Sequence, residues 1–220
     1  MRNDGNNVHL LRDGTLVQTR PLRASDRAKL LAAFEQLSAE SRYRRFFSPT
    51  PRLSPRMLDR LLDVDGRDRL AIGAEQLRLG WLPGRGLGVA RFSRLPEARN
   101  VAELALSIVD ELQGKGLGTL LLLELSRAAR AHGISRFVAW VQPDNEPMKA
   151  VILKLDPLAR SRVEDGLLVF DLAVPGSIAV PVRQRGRGMP GALGAVADWC
   201  ADGLRQLLPG RLPDPPAQPA

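Results

Sequence analysis

Cysteine occurs once, at Cys200, and tyrosine once, at Tyr43, while lysine is confined to Lys29, Lys115, Lys149 and Lys154. A single thiol forms no internal disulfide, and isolated His9 and His132 have no metal-ligand spacing with it, so no metal is expected. Asp63-Val64-Asp65-Gly66-Arg67-Asp68 lacks the glutamate that would close a calcium loop and reads as a solvated turn. No apolar run approaches the ~20 residues of a membrane-spanning helix. Met1-Arg2-Asn3-Asp4-Gly5 leads into polar sequence with no secretion-signal core, which points to a cytoplasmic protein without a membrane partner. Aromatics make up 5% of the chain, too few to interleave with bases, so no nucleic-acid partner is expected despite a net charge of +8. That charge comes from arginine in an Ala-, Leu-, Gly- and Pro-rich background, as GC-rich coding gives, and it suits an anionic cofactor or an acidic partner. Hydrophobic residues at 44% and charged residues at 25% are ordinary for a globular protein, and 220 residues fit one domain with an appendage.

Periodicity places the elements. Gly14 to Arg20 alternates apolar and polar side chains and stops at Pro21, a short strand. Ser25 or Asp26 can cap a helix presenting Leu30, Leu31, Phe34 and Leu37, and Ser38 can cap a second ahead of Tyr43, Phe46 and Phe47. Leu53-Ser54-Pro55 opens a third, with Met57, Leu58, Leu61 and Leu62 as its stripe. Arg69 to Ala74, Gly86 to Phe92 and Ala102 to Val109 read as a strand meander, with loops at Pro83-Gly84 and Pro96. A helix over Leu117 to Ala131, a strand over Ser135 to Val141, a helix over Met148 to Leu155 and a strand over Leu167 to Val174 follow. The economical architecture is α+β, a largely antiparallel sheet with helices on it, over residues 1–174. Residues 175–220 form a Pro-, Gly- and Ala-rich extension, with a possible amphipathic helix at 192–208 presenting Leu193, Val196, Cys200, Leu204 and Leu207. Such a stripe needs cover, from the domain or from a second subunit, and so makes a homodimer possible.

The chemistry concentrates in a strand, a glycine-rich turn and a helix: Ala105 to Val109, Gln113-Gly114-Lys115-Gly116-Leu117-Gly118, then Thr119 onward. Glycines strip side chains from the turn, so successive backbone N–H groups can converge on an anion at a helix N-terminus, where the helix dipole already favours negative charge. Lys115 adds a point charge, and Gly116 and Gly118 permit close approach. The spacing is not that of a Walker loop, and a dinucleotide fingerprint would follow the first strand of a parallel unit rather than a meander.

The order Gln-x-x-Gly-x-Gly between an apolar strand and a long helix resembles the acetyl-CoA signature of the GNAT superfamily. Leu11 to Gly14, Arg20-Pro21-Leu22, Leu37 to Phe47, Leu53-Ser54-Pro55, Val64-Asp65-Gly66, Ala102-Glu103 and Asn145 to Met148 resemble, more narrowly, the Pat-type protein lysine acetyltransferases. The resemblance implies a GNAT-like mixed sheet with helices on both faces. It also implies transfer of an acetyl or related acyl group from acyl-CoA to an amine, a protein lysine first and a small amine or a non-catalytic CoA-sensing role as alternatives. Glu103 takes the place of the family's general base. Ser107 and Ile108 lie on the strand whose backbone N–H polarises the thioester. By the same resemblance, Gln113, Gly114, Lys115, Gly116, Leu117, Gly118 and Thr119 are expected to hold the pyrophosphate, and Asn145 to meet the cofactor or cap its helix. The tyrosine that many members use as general acid is Ile152 here, and their Gly-Phe pair is Asp156-Pro157, so no general acid is assigned.

Overall fold

The computed structural model describes residues 6–50, 52–78 and 82–176. In chain order the elements are β1 (Asn7–Leu10), β2 (Leu16–Pro21), a 3-10 turn (Ala24–Asp26), α1 (Arg27–Glu35), α2 (Ala39–Phe46), α3 (Pro55–Leu62), β3 (Arg69–Arg78), β4 (Leu82–Leu95) and β5 (Ala98–Ile108). A second 3-10 turn (Asp110–Leu112), α4 (Leu117–Ala131), β6 (Arg136–Val141), α5 (Glu146–Leu155), β7 (Arg160–Glu164) and β8 (Leu167–Ala173) complete them. The chain divides into compact units Met1–Arg183 and Gln184–Ala220. The helix expected at 192–208 lies outside the described residues.

The strands form one sheet in the order β1-β2-β3-β4-β5-β6-β8-β7. Every neighbouring pair is antiparallel except β5 and β6, which run parallel. Alternation along the central strands assigns their two faces. Gly88, Ala90, Phe92, Leu104 and Leu106 turn toward α4, where Leu117, Leu121, Leu122 and Leu125 are fully buried. Val89, Arg91, Ala105 and Ser107 turn the other way, toward α1, α2 and α3. Gly88 is needed at the crossing, because a Cβ there would stand 2.9 Å from the Ser107 carbonyl oxygen.

Helix starts follow local chemistry. Ser38 accepts from the Ser41 N–H at 3.1 Å and Ser54 from the Met57 N–H at 3.2 Å, with Pro55 in the first turn of α3. The expected cap at Asp26 is corrected: its carboxylate accepts from Arg20 and from the Arg23 N–H, and α1 has no side-chain cap. Leu31, placed by pattern on the apolar face of α1, is exposed. Pro83 and Gly84 lie inside β4 instead of a loop; the ladder with β3 shifts register at Glu75, and such irregularities tolerate proline. Two strands escaped the sequence reading. β1 is an edge strand of four residues, and β7 pairs with β8 across Asp165-Gly166, both with positive φ. Asp65 accepts N–H groups from Arg67, Asp68 and Arg69 at 2.8, 2.8 and 2.9 Å, which close its turn, and the Arg69 and Arg67 N–H groups lower its carboxyl to about 2 against burial.

Candidate functional site

The site begins where the sheet splits. β5 and β6 share only Val101–Arg136, Ala102–Phe137 and Glu103–Val138, whereas β5 stays paired with β4 as far as Ile108. Beyond Glu103 the two parallel strands part, and a cavity of about 240 Å³ opens between them. Alternate residues of Leu104–Ile108 therefore present backbone N–H and C=O groups on the edge released by β6, available to a ligand. The floor of the cleft carries Glu103, Ser107 and Ile108, and its far wall Gln113, Gly114, Gly116, Gly118, Thr119 and Asn145.

The wall is a bare helix start. Gly114 and Gly116 have φ of 74° and 95°, the left-handed region that favours glycine. Gly116 is the N-cap of α4 without a side-chain cap, and no acidic residue occupies the first turn. The first amide donors of α4 thus face the cavity with the positive end of its dipole behind them. Gly118 seats that start against the sheet, since a Cβ would lie 3.0 Å from Ile108 Cδ1 and 3.4 Å from both Leu106 and Val151.

Two loop residues do something other than line the cavity. The Lys115 ammonium turns away to Asp13, 2.9 Å distant, and with the Thr15 N–H holds that carboxyl down at about 2. The Leu117 side chain is fully buried in the core, so only its backbone can meet a ligand. Gln113 lines the cleft, but its amide also braces the loop, donating to Ser41 Oγ at 3.1 Å and to the Ile108 carbonyl at 3.3 Å. Asp110 completes this clamp by accepting from the Ser38 N–H, Ser38 Oγ and Ser41 Oγ at 2.8, 2.9 and 2.7 Å. Burial alone would push Asp110 up, yet the bonds from Ser41 and Ser38 hold it below the usual carboxylate range. The start of α2 is thereby tied to the glycine loop.

Glu103 stands at the fork, the last β5 residue paired with β6. Burial raises its carboxyl above the ordinary value of 4.5, opposed by the positive charges of Arg45 and Arg91. Arg91 is in turn lowered by its own burial, offset by Glu103. Registered residues in a parallel ladder share a face, so Glu103, Val138 and, two residues on, Trp140 look toward α2. Trp140 is 8% exposed, and its indole N–H has no acceptor among the described residues.

Asn145 caps α5, its Oδ1 accepting from the Met148 N–H at 3.1 Å. Ile152 is fully buried in the core, and Tyr43 is not among the residues lining the cleft. Asp156 fastens the end of α5 to β8 by accepting from the Ala173 N–H at 2.8 Å. Ser41, Arg44, Arg45, Phe47, Trp140 and Lys154 also line the cleft and were not singled out from sequence as site residues. Proximity between α2 and the fork depends on long-range packing, which no local pattern reports. His9 bonds Thr19 at 3.2 Å and lies 3.7 Å from Glu124, and no group of three or more potential metal ligands occurs among the described residues.

A split sheet with a bare helix start beside it defines a class. Residues 31–156 match the acetyltransferase (GNAT) family, to which the chain belongs. It is an acyl-CoA-dependent acetyltransferase with acetyl-CoA as cosubstrate, and within that family it is Pat-like. An acetyltransferase of Pseudomonas aeruginosa is 30% identical over 163 residues, 74% of this chain and 86% of that protein. Acetyltransferase Pat of Mycolicibacterium smegmatis is 30% identical over 78% of this chain, which spans 50% of that longer protein. The GNAT domain of S. lividans PAT superposes with a TM-score of 0.69 at 31% identity, over 79% of this chain and 99% of that domain.

Proposed function

We propose that the protein moves an acetyl group from acetyl-CoA to the ε-amine of a protein lysine, with Glu103 as general base. The observation that carries the reading is Glu103 at the fork of β5 and β6, its carboxyl raised by burial, opposite the uncapped start of α4. On this reading the pyrophosphate meets the amides from Gly114 to Thr119, and the pantetheine arm lies along the released edge of β5. A backbone N–H near Ser107 or Ile108 polarises the thioester carbonyl. Asn145 orients α5 against the cofactor, and Gln113 holds the loop in shape. An ammonium is not a nucleophile, so Glu103 removes its proton, directly or through water. The amine nitrogen then attacks the carbonyl carbon, the C–N bond forms, the C–S bond breaks, and the nitrogen's second proton passes, through solvent, to the departing CoA thiolate. With Ile152 in the core, the thiolate departs without a tyrosine acid; its conjugate acid, near a pKa of ~8.5 by analogy with cysteine, makes that tolerable. Likeness to the Pat-type sequences supports a protein acceptor. The protein is read as cytoplasmic, with its extension packing on the catalytic domain or joining two copies.

The test is incubation with acetyl-CoA and a mixture of candidate acceptor proteins, read by mass spectrometry for acetyl-lysine, beside the same assay with small amines. Glu103→Gln is expected to retain acetyl-CoA affinity and to slow transfer on the order of 100-fold. Acetylation of small amines alone would overturn the protein acceptor, and an unaltered rate in Glu103→Gln across pH 6 to 9 would remove Glu103 from the chemistry.

A further inference from the structure

A second cavity lies beside the cleft, on the face of the sheet covered by α1, α2 and α3. It shares Leu37, Arg45, Ala105 and Ser107 with the cleft, so the two spaces border one another across Ala105 and Ser107 of β5. Apart from Arg91, its remaining wall is apolar: Leu30, Phe34, Phe46, Leu61 and Val89 are among its residues. Its volume is about 60 Å³, against the ~10–15 Å³ that one water-sized group needs. Water is poorly held in a space with so few polar partners, whereas an alkyl chain needs none.

We propose that this cavity is an acyl-chain site, and that the enzyme, beside acetyl-CoA, takes acyl-CoA donors of about four to six carbons and binds them more tightly. The inference rests on the reading that the thioester lies over Ala105 and Ser107. From there, an acyl group longer than acetyl turns past Ala105 into the space under α1, while the carbonyl stays against β5 and the amine still approaches from the side of Glu103. The chemistry is unchanged: the C–N bond forms, the C–S bond breaks, and the longer acyl group travels with the carbonyl carbon.

Burial of a methylene is worth about fourfold in affinity. Butyryl-CoA, two methylenes longer than acetyl-CoA, should therefore bind roughly fifteenfold tighter by calorimetry. Val89 lines the second cavity and not the cleft. Val89→Phe fills the space, so it should erase the gain for butyryl- and hexanoyl-CoA while acetyl-CoA and free CoA bind as before. Leu30→Ala, on α1, enlarges the space and should move the preference toward hexanoyl-CoA, so the two variants shift it in opposite directions. Their circular dichroism and melting temperatures establish that each is folded, and either alone suffices as a test. Equal affinity of the folded wild type for acetyl-, butyryl- and hexanoyl-CoA, or a butyryl preference that survives Val89→Phe, overturns the acyl-chain site. Failure of free CoA and acetyl-CoA to bind overturns the cofactor reading beneath it, which is a different result.

Discussion

Glu103 carries opposite demands at one position. Its folded-state carboxyl is raised by burial, so it adds stability below 4.5 that is lost as pH rises through the higher folded value. Above that window the ionised carboxylate is held in a low-dielectric fork with only Arg45 and Arg91 to offset it. Glu103→Gln, which never ionises, should therefore melt relatively higher than the wild type at pH 8 than at pH 4.5, while being the slower enzyme. A melting difference that stays constant over that range would mean the carboxyl is not raised. Gly116 is strained in another way. At φ 95° with only Arg12 Nε, 4.0 Å away, near its missing Cβ, the position has room for a side chain but the wrong backbone for one. Gly116→Val must leave that conformation or bear roughly 1–3 kcal/mol of strain, so CoA, which needs the original loop shape, should bind about 5- to 150-fold more weakly. Unchanged calorimetric affinity would take the pyrophosphate away from this loop. Both residues stood out in the sequence because each breaks a local rule, a carboxylate in an apolar strand and paired glycines at a helix start. Lys115 shows the limit of that reasoning. Its charge was visible, but its partner Asp13 lies 102 positions earlier, beyond any pattern in the loop itself.

At the scale of elements, the meander, α4 and α5 were legible because each has a strong period or a capping residue, and their ends moved by only a few positions. β7 was missed although Asp165-Gly166 is a strong two-residue hairpin signal, because its residues are nearly all exposed and show no apolar alternation. The fork was invisible: nothing in β5 or β6 alone announces that their pairing ends at Glu103. Nor did the sequence disclose the charge cluster that joins β2, β3 and α1. Arg20 makes a two-pronged bond to Asp26, at 2.8 and 2.7 Å, and also pairs with Glu75, which Lys29 reaches at 2.7 Å. Asp26 and Glu75 are each 6% exposed, so Arg20→Ala leaves one buried carboxylate without its main partner and weakens the hold on the other. The expected loss is about 3–5 kcal/mol by urea denaturation. The bond from Arg20 also lowers the Asp26 carboxyl, giving stability that is present above its ordinary value of 3.8 and disappears as pH falls through the folded one. The variant should lack that acid-side slope, and a loss below about 1 kcal/mol at pH 7 would show the cluster behaving as a surface pair.

For the molecule as a whole, we propose that the catalytic unit and the extension are separable. β8 ends at Ala173, and Val174 is the last member of the described core. Every described strand and helix, and every residue lining the cleft, lies within Met1–Arg183. Residues 184–220 carry Arg185, Arg187, Arg205 and Arg211 against Asp198, Asp202 and Asp214, so removing them leaves the protein almost as basic as before. Any change in association after truncation then reflects lost apolar surface and not altered charge. A chain ending at residue 183 should bind acetyl-CoA and turn over within about twofold of the full chain, because a domain with its own core folds alone. On the proposal that the extension joins two copies through Leu193, Val196, Cys200, Leu204 and Leu207, the truncated chain's mass by light scattering should fall from a dimer to a monomer. On the same proposal the full chain should fall to a monomer on dilution while the truncated one shows no concentration dependence. An unchanged mass in the truncated protein would assign association to another surface, and loss of acetyl-CoA binding would show that the extension belongs to the catalytic unit after all.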